Sequence, residues 1–345
     1  MSLTHTEIAD LVALTQEQLV QRGAFVDMQT DLQDHTLVRE LWKGRNKKVF
    51  ESGFPWRFDI QYDHNYSAKF VGLYETDAAA FGDTMIYGEV QPRHVNAHYI
   101  YDLREPSLNR GPRAIVDYVK TKYTAMYVSV FEKLEEALWG KPDDSTDTKT
   151  PYGVAYWIVK NSSEGFNGEN PSGFSSGRAS IDSTSYTRWA NWGGAYTEIS
   201  KEDLVRMMRT MARETKFRSP VSHAVPSLGS MRNGIYMNSD TIGLLEEELE
   251  KQNMNLGNDL ASKDGRALFK GTPLTYAPYL NSDTDNPIYF IDWSKMRLGT
   301  LAGWENEITP PYMPPNMHLV RRVDMDATMQ MICVDLRRQG VLYQA

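Results

Sequence analysis

Two consecutive segments constrain this chain more than any catalytic signature. A long polar-aromatic stretch, about Lys47 to Tyr101, reads as an extended hairpin. Directly after it, a single apolar stripe at helical spacing runs from about Arg113 to Leu138. A two-stranded hairpin alone in water is marginally stable, and a thin-striped helix needs a partner. A chain built from arms and flaps that cannot bury their own apolar faces is expected to be a subunit of a larger assembly.

The hairpin reading rests on period two. Phe54, Trp56, Phe58, Ile60 and Tyr62 alternate with Pro55, Arg57, Asp59 and Gln61, which places one apolar face on a strand. The return path is Met85 to Tyr101, where Val95, Ala97, Tyr99 and Tyr101 alternate. Between them lies a polar tip, Asp63 to Asp83. The helix that follows begins after Asn109-Arg110-Gly111-Pro112, with Asn109 or Gly111 near its cap and Pro112 in its first turn. Ile115, Val119, Tyr123, Met126, Val130, Leu134 and Leu138 form its stripe, and Gly140 and Pro142 stop it. It should span about 40 Å.

On the N-terminal side, Glu7 to Arg22 reads as a short helix with Ile8, Leu11, Val12, Thr15 and Leu19 on one face and Gly23 at its end. On the C-terminal side the pattern predicts a strand over Tyr152–Lys160 and a loop rich in Gly, Ser and Asn over Asn161–Ser185. A helix starts near Ser200 and Asp203, with Leu204, Met208 and Met211 inside and Arg206, Arg209 and Arg213 outside. A short strand at Ile235–Met237 precedes a helix capped by Ser239 or Asp240. Strands follow at Thr272–Tyr276, Pro287–Trp293, His318–Val323, Thr328–Leu336 and Val341–Gln344. Thr309–Pro315 is too rich in proline to be regular.

Composition narrows the chemistry. The 345 residues are enough for one large or two medium domains, and a formal charge of −8 argues against a primary nucleic-acid binder. The single cysteine, Cys333, excludes an intrachain disulfide and a cysteine zinc site. Its apolar surroundings predict a buried small side chain. The N-terminus lacks the basic and apolar regions of a secretion signal, and no apolar run approaches the ~18 residues of a membrane span. The chain is therefore expected to fold in a cytoplasm, with no membrane partner.

Each candidate site has a competing reading. Gly173-Phe174-Ser175-Ser176-Gly177 matches the nucleophile-elbow pattern, which would make Ser175 the nucleophile of a serine hydrolase. That motif needs a strand before it and a helix after it, and here a loop surrounds it. His94 and His98 have helix-type metal spacing, but on a strand they stand ~13 Å apart. Asp143, Asp144 and Asp147 could attract calcium, yet they lack the glycine and distal glutamate of an EF-hand loop. A solvated turn is the simpler reading, for them and for Asp324 and Asp326. Trp189 and Trp192 could stack on sugars or serve as core or interface anchors.

The order of elements resembles the major capsid protein of tailed bacteriophages, with the Hong Kong 97-type capsid fold, an α+β fold. The likeness includes Ala137-Leu138-Trp139-Gly140-Lys141-Pro142-Asp143-Asp144, Arg232 to Ser239, and Phe269 to Tyr276. Arg188 to Tyr196 and Asn286 to Trp293 look most similar to the Gp13-like group. The resemblance implies an N-terminal arm (1–46), an extended hairpin loop (47–101), a peripheral domain with a spine helix (102–149 and 301–345) and an axial domain (150–300). It implies a shell of pentamers and hexamers in a virion, assembled in the host cytoplasm around double-stranded DNA held without specific binding. A portal protein and separate scaffolding and decoration proteins would be further partners. No catalytic residue, cofactor or metal is implied.

The intersubunit contacts would come from Phe54, Trp56, Phe58, Ile60 and Tyr62 on the hairpin and from Ile8, Leu11 and Leu19 on the arm. Little more than 40 residues precede the hairpin, so no large maturation cleavage is expected. Lys69 lies in the hairpin tip, but no motif marks an asparagine and acid with which it would crosslink. An encapsulin-like cage, carrying enzymes instead of DNA, is the alternative within the same fold. A glycan-binding protein using the tryptophans and a Ser175 hydrolase are alternatives outside it.

Overall fold

The computed structural model describes residues 35–42, 46–51, 53–64, 70–73, 84–104, 112–215, 233–253, 268–269 and 272–345. The expected helix over Glu7–Arg22, with Ile8, Leu11 and Leu19, lies outside these residues. In chain order the elements are α1 (Thr36–Leu41), β1 (Lys47–Phe50), β2 (Trp56–Gln61), β3 (Met85–Val90), β4 (Arg93–Asp102) and α2 (Pro112–Trp139). Then come α3 (Val154–Trp157), β5 (Gly165–Phe166), β6 (Trp192–Tyr196), α4 (Leu204–Glu214), β7 (Asn233–Met237), α5 (Ser239–Asn253) and β8 (Leu268–Phe269). The chain ends with β9 (Thr272–Tyr276), β10 (Ile288–Asp292), β11 (Met296–Leu301), β12 (Glu307–Ile308), β13 (Val320–Cys333) and β14 (Gly340–Gln344).

Two sheets organise the molecule. The first has five strands. β13 is its backbone, with β4 along one edge and β11 and β12 along the other, while β1 pairs with β11 in parallel. The second has seven strands in the order β5-β6-β14-β10-β7-β9-β8. β14 follows β13 in the chain yet lies inside the second sheet, and β10 and β11 are joined by a turn that crosses between sheets. The boundary expected near residue 300 therefore does not coincide with sheet membership: β11 belongs to the first sheet and β14 to the second.

The hairpin is shorter than its sequence pattern implied. Only β2 and β3 pair with each other, from Trp56↔Val90 to Gln61↔Met85. β1 and β4, read as the two feet of the same flap, belong to the five-stranded sheet. The alternation of Val95, Ala97, Tyr99 and Tyr101 is that of a strand with a covered face, and period two carries no information on which partner supplies the cover.

α2 is the 28-residue helix expected from the stripe, about 42 Å long. Tyr123, Met126, Tyr127, Val130, Phe131, Leu134, Leu138 and Trp139 are buried in the larger core cluster. Tyr152–Lys160 does not form the expected strand. Its middle is the short helix α3, which begins after Gly153. Periodicity cannot separate a short apolar run in a strand from one in a buried helix. Gly153 lies against the end of α2, where a β-carbon would fall 2.2 Å from the Gly140 carbonyl oxygen. The two C-terminal strands read over His318–Val323 and Thr328–Leu336 are one 14-residue strand, β13. Asp324 and Asp326 stand inside it and not in a turn.

A second core cluster lies on one face of the seven-stranded sheet. α4 covers it with Leu204, Met208 and Met211, and α5 with Leu245, against Trp192, Ile235, Ile288 and Leu342. The outer face of α4 is left to Arg206, Arg209 and Arg213, which are exposed as the pattern predicted.

Candidate assembly surface

The hairpin presents one covered and one open surface. Trp56 and Phe58 are buried within this chain, so the face that the alternation predicts is covered by the chain's own residues. Trp56 stacks on Phe50 with ring centroids 4.6 Å apart and the planes 4° from parallel. Its ring lies over Gly299, where a β-carbon would come within 2.9 Å of it. Phe58 is opposite Gly88 across the ladder, and a β-carbon there would sit 2.6 Å from the ring. Two glycines thus make room for two aromatic rings, a packing that one-strand alternation cannot reveal. Ile60 packs at the margin of the same core, and Tyr62 meets Tyr186 edge-on at 4.9 Å. Of the five aromatic and aliphatic positions only Phe54 is broadly exposed, at 69%.

The open apolar surface is at the tip. Phe70, Val71 and Leu73 are exposed there, joined by Met85 and Tyr87 on β3. Large apolar side chains grouped on an extension mark an interaction surface more often than chance scatter does.

The hairpin rests on residues 161–191 near both ends of its ladder. Asp63 accepts an ion pair from Arg188 at 2.8 Å, and the Glu89 amide donates to the Ala179 carbonyl at 2.9 Å. That loop is built around Arg178, which is fully buried. Its guanidinium donates to the carbonyl oxygens of Trp157, Gly168 and Trp189 and to Asn191 Oδ1, all at 2.8–2.9 Å. Burial pulls its pKa down to about 10, which leaves it charged at neutral pH. The turn that follows is tight. Gly177 has φ +81°, and Ala179 and Ser180 also have positive φ, at 53° and 63°. A β-carbon on Gly177 would collide with the Ile181 carbonyl at 2.0 Å.

Helix α1 is held by one buried carboxylate. Glu135 lies on the buried stripe of α2 with no exposed surface. It accepts from the Leu37 amide at 2.9 Å, the Val38 amide at 2.8 Å and the Trp139 indole at 2.9 Å, and more weakly from Thr36. It thus caps the N-terminus of α1 from another helix and satisfies donors that α1 leaves unpaired. Burial raises its carboxyl above the ordinary value, and these hydrogen bonds oppose the rise. Neither Glu135 nor Arg178 was singled out by sequence. A signal existed for Glu135, a charge on the apolar stripe between Leu134 and Leu138; none existed for Arg178.

The other candidates resolve individually. Ser175 is exposed in a tight turn, with Phe174 and Gly177 amides bonded back to Pro171 and Phe174 carbonyls; no strand-to-helix elbow forms. His94 and His98 are on strand β4, and His94 Nδ1 lies 2.8 Å from Thr328 Oγ1. Asp144 and Asp147 bind the hydroxyl and amides of their own turn, Thr146 and Lys149 among them. Asp324 accepts from Tyr312 at 2.6 Å and Arg322 at 2.7 Å, and Asp326 from Asn96 at 2.6 Å. Trp189 and Trp192 are core residues. Cys333 is buried, and desolvation pushes its thiol far above the usual range. An open groove of about 930 Å³ runs between the end of α2, residues 158–172 and residues 278–283, lined by Trp139, Ile158, Leu280 and Tyr289 with Lys141 and Lys160 at its rim. Among the described residues no helix is long and apolar enough to cross a membrane.

No family model and no curated protein matches the chain. Solved structures do. The cyanophage A-1(L) capsid asymmetric unit aligns with a TM-score of 0.60 at 12% identity, covering 90% of this chain and 92% of that one. The capsid of the native GTA particle gives 0.53 at 11% identity, with 90% of each chain covered. Gordonia phage Cozz gives 0.51 at 9% identity over 87% of this chain and 85% of that one. At such identities the likeness is one of architecture, and it spans nearly the whole length of both partners: this chain has the α+β fold of tailed-phage capsid subunits.

Proposed function

We propose that this chain is a major capsid protein that self-assembles into an icosahedral shell enclosing phage double-stranded DNA. The observation that carries the reading is the match of fold over 90% of the chain to subunits of phage capsids. The exposed tip at Phe70, Val71 and Leu73 supports it, because a soluble monomer gains nothing from such a surface.

In this reading the pieces follow the Hong Kong 97-type plan. Residues 1–46 form an arm whose Ile8, Leu11 and Leu19 lie on a neighbour. Within 47–101, the hairpin proper, residues 56–90, reaches over an adjacent subunit with its tip and Phe54, while Ile60 and Tyr62 line its margin. The first sheet with α2 is the peripheral domain, and the second sheet with α4 and α5 is the axial domain at the centre of pentamers and hexamers. The shell forms in the host cytoplasm around a portal protein, with scaffolding and decoration proteins as further partners. DNA is held by confinement, in keeping with the net charge of −8. The chain acts through geometry and not through catalysis.

The test is direct. Purified full-length protein, examined by light scattering and negative-stain microscopy, is expected to give megadalton particles with closed outlines. A persistent 39.4 kDa monomer under every condition refutes the shell. Particles isolated from cells that hold enzyme cargo and no DNA point instead to an encapsulin-like cage.

A further inference from the structure

Two helices on the same face of the seven-stranded sheet carry opposite charge on their outer sides. On α4, Arg206, Arg209 and Arg213 fall at intervals of three and four opposite the buried Leu204, Met208 and Met211, and Lys201 extends the row. On α5, Asp240, Glu246 and Glu247 are exposed opposite the buried Thr241 and Leu245. The span from Arg206 to Arg213 and that from Asp240 to Glu247 are both seven residues, or about 10.5 Å along a helix. Among the described residues none of these charges forms an ion pair within the chain. Arg213 donates to the Thr210 hydroxyl at 3.3 Å.

The acidic face also has room for an incoming side chain. Gly243 lies between Asp240 and Glu247 on the exposed side of α5, and a β-carbon there would meet nothing within 4 Å. A glycine inside a helix is unfavourable, and no packing among the described residues accounts for this one. Next to it Leu244 is 48% exposed. An arginine lays its methylene stem on apolar surface while its guanidinium reaches a carboxylate. Gly243 and Leu244, with acids on either side, suit that arrangement. The basic row matches it: Lys201, Arg206, Arg209 and Arg213 line a shallow concavity of about 660 Å³, with Glu202 the one acid in it.

We propose that the arginine row of α4 in one copy seats on the acidic face of α5 in the next copy. The inference rests on the shell reading and names the residues that set register between neighbours in a ring. Contacts between two different patches of one chain can repeat around a rotational axis. Rows of unlike charge select that pairing and reject the like-charged ones, Arg on Arg and Glu on Glu. They act on register and rate of association more than on affinity, so salt weakens them.

Charge reversal tests the pairing. Arg206→Glu with Arg209→Glu and Arg213→Glu forms one set; Glu246→Lys with Glu247→Lys forms the other. Each set alone is expected to lower particle yield at least about tenfold at low salt, with the melting temperature of the subunit unchanged. The two sets in one chain should restore yield to within about threefold of wild type. Should reversal unfold the subunit, Arg206→Gln with Arg209→Gln and Arg213→Gln gives the milder form of the same loss. Unchanged yield in the single sets, or loss without recovery on combination, overturns the proposal. Loss of binding to labelled duplex DNA with normal assembly also overturns it and makes the row a nucleic-acid surface. Wild-type particles are the control: their absence refutes the shell reading itself, and the same loss and recovery must then appear in the sedimentation of soluble oligomers or the pairing falls too.

Discussion

Removing the carboxylate of Glu135 should detach α1 from α2. Glu135→Ala takes the acceptor from three buried donors at once, the amides of Leu37 and Val38 and the indole of Trp139. A buried donor left without a partner costs about 1–3 kcal/mol. Members of one network do not add in full, so the expected loss is about 3–5 kcal/mol. For a chain of this length that corresponds to a fall in Tm of about 4–7 °C. The loss should be local in origin. Hydrogen exchange read by mass spectrometry should show protection falling first in the peptide containing Leu37 and Val38, ahead of β13. Glu135→Gln, which keeps one acceptor but turns an amine toward a second amide, should fall between the two. A Tm within about 2 °C of wild type, with unchanged protection at α1, would show that the carboxylate is not what holds α1, and the account of this contact would be wrong.

Glu135 also predicts a pH dependence. Folding raises its carboxyl, so the group stabilises the fold where it is protonated, below its ordinary value, and loses that contribution as pH climbs through the raised value. The Tm of wild type minus that of Glu135→Gln should therefore be larger at about pH 5 than at about pH 8, and a difference that shrinks toward acid refutes the assignment. Arg178→Met takes the side-chain donor from three buried carbonyls, those of Trp157, Gly168 and Trp189, and should cost about 3–5 kcal/mol, with Arg178→Lys little better because an ammonium cannot span the same fork; thermal melting checks it, together with proteolysis at residues 161–191. Trp56→Ser removes a ring buried within the subunit and should lower the Tm of the unassembled chain by the equivalent of about 3–5 kcal/mol. Normal subunit stability with only assembly impaired would restore Trp56 to an intersubunit role.

The sequence patterns that read correctly are those in which one element carries its own evidence. α2 announces itself through a stripe from Tyr123 to Leu138 with Pro112 before it and Gly140 after it. The outer arginines of α4 and the burial of Cys333 follow from the same logic. What misled was partnership. The alternation ending at Tyr101 is real, but its partner is β13 and not the other arm of a hairpin. Trp56 and Phe58 looked unpartnered because the surfaces that receive them are Gly299 and Gly88, residues with no apolar signature. Asp324 and Asp326 looked like a break in a strand because their partners, Tyr312, Arg322 and Asn96, are supplied by the fold. Arg178 gathers carbonyls from three separate places in the chain, and no local pattern encodes that.

The pairing of β13 sets how this molecule carries force. Ten of its residues are in register with β4 on one side, and five with β11 on the other. Tension along β13 loads both ladders in shear, so many hydrogen bonds must give way together. The β2–β3 hairpin has six paired positions. A pull that draws β2 away from β3 peels the pairs one after another, a far softer response. The subunit is thus stiff along one line and compliant across the β2–β3 pairing. In a container under outward pressure, hoop tension directed along β13 would be borne without yielding, while the hairpin could bend to follow a neighbour as curvature changes.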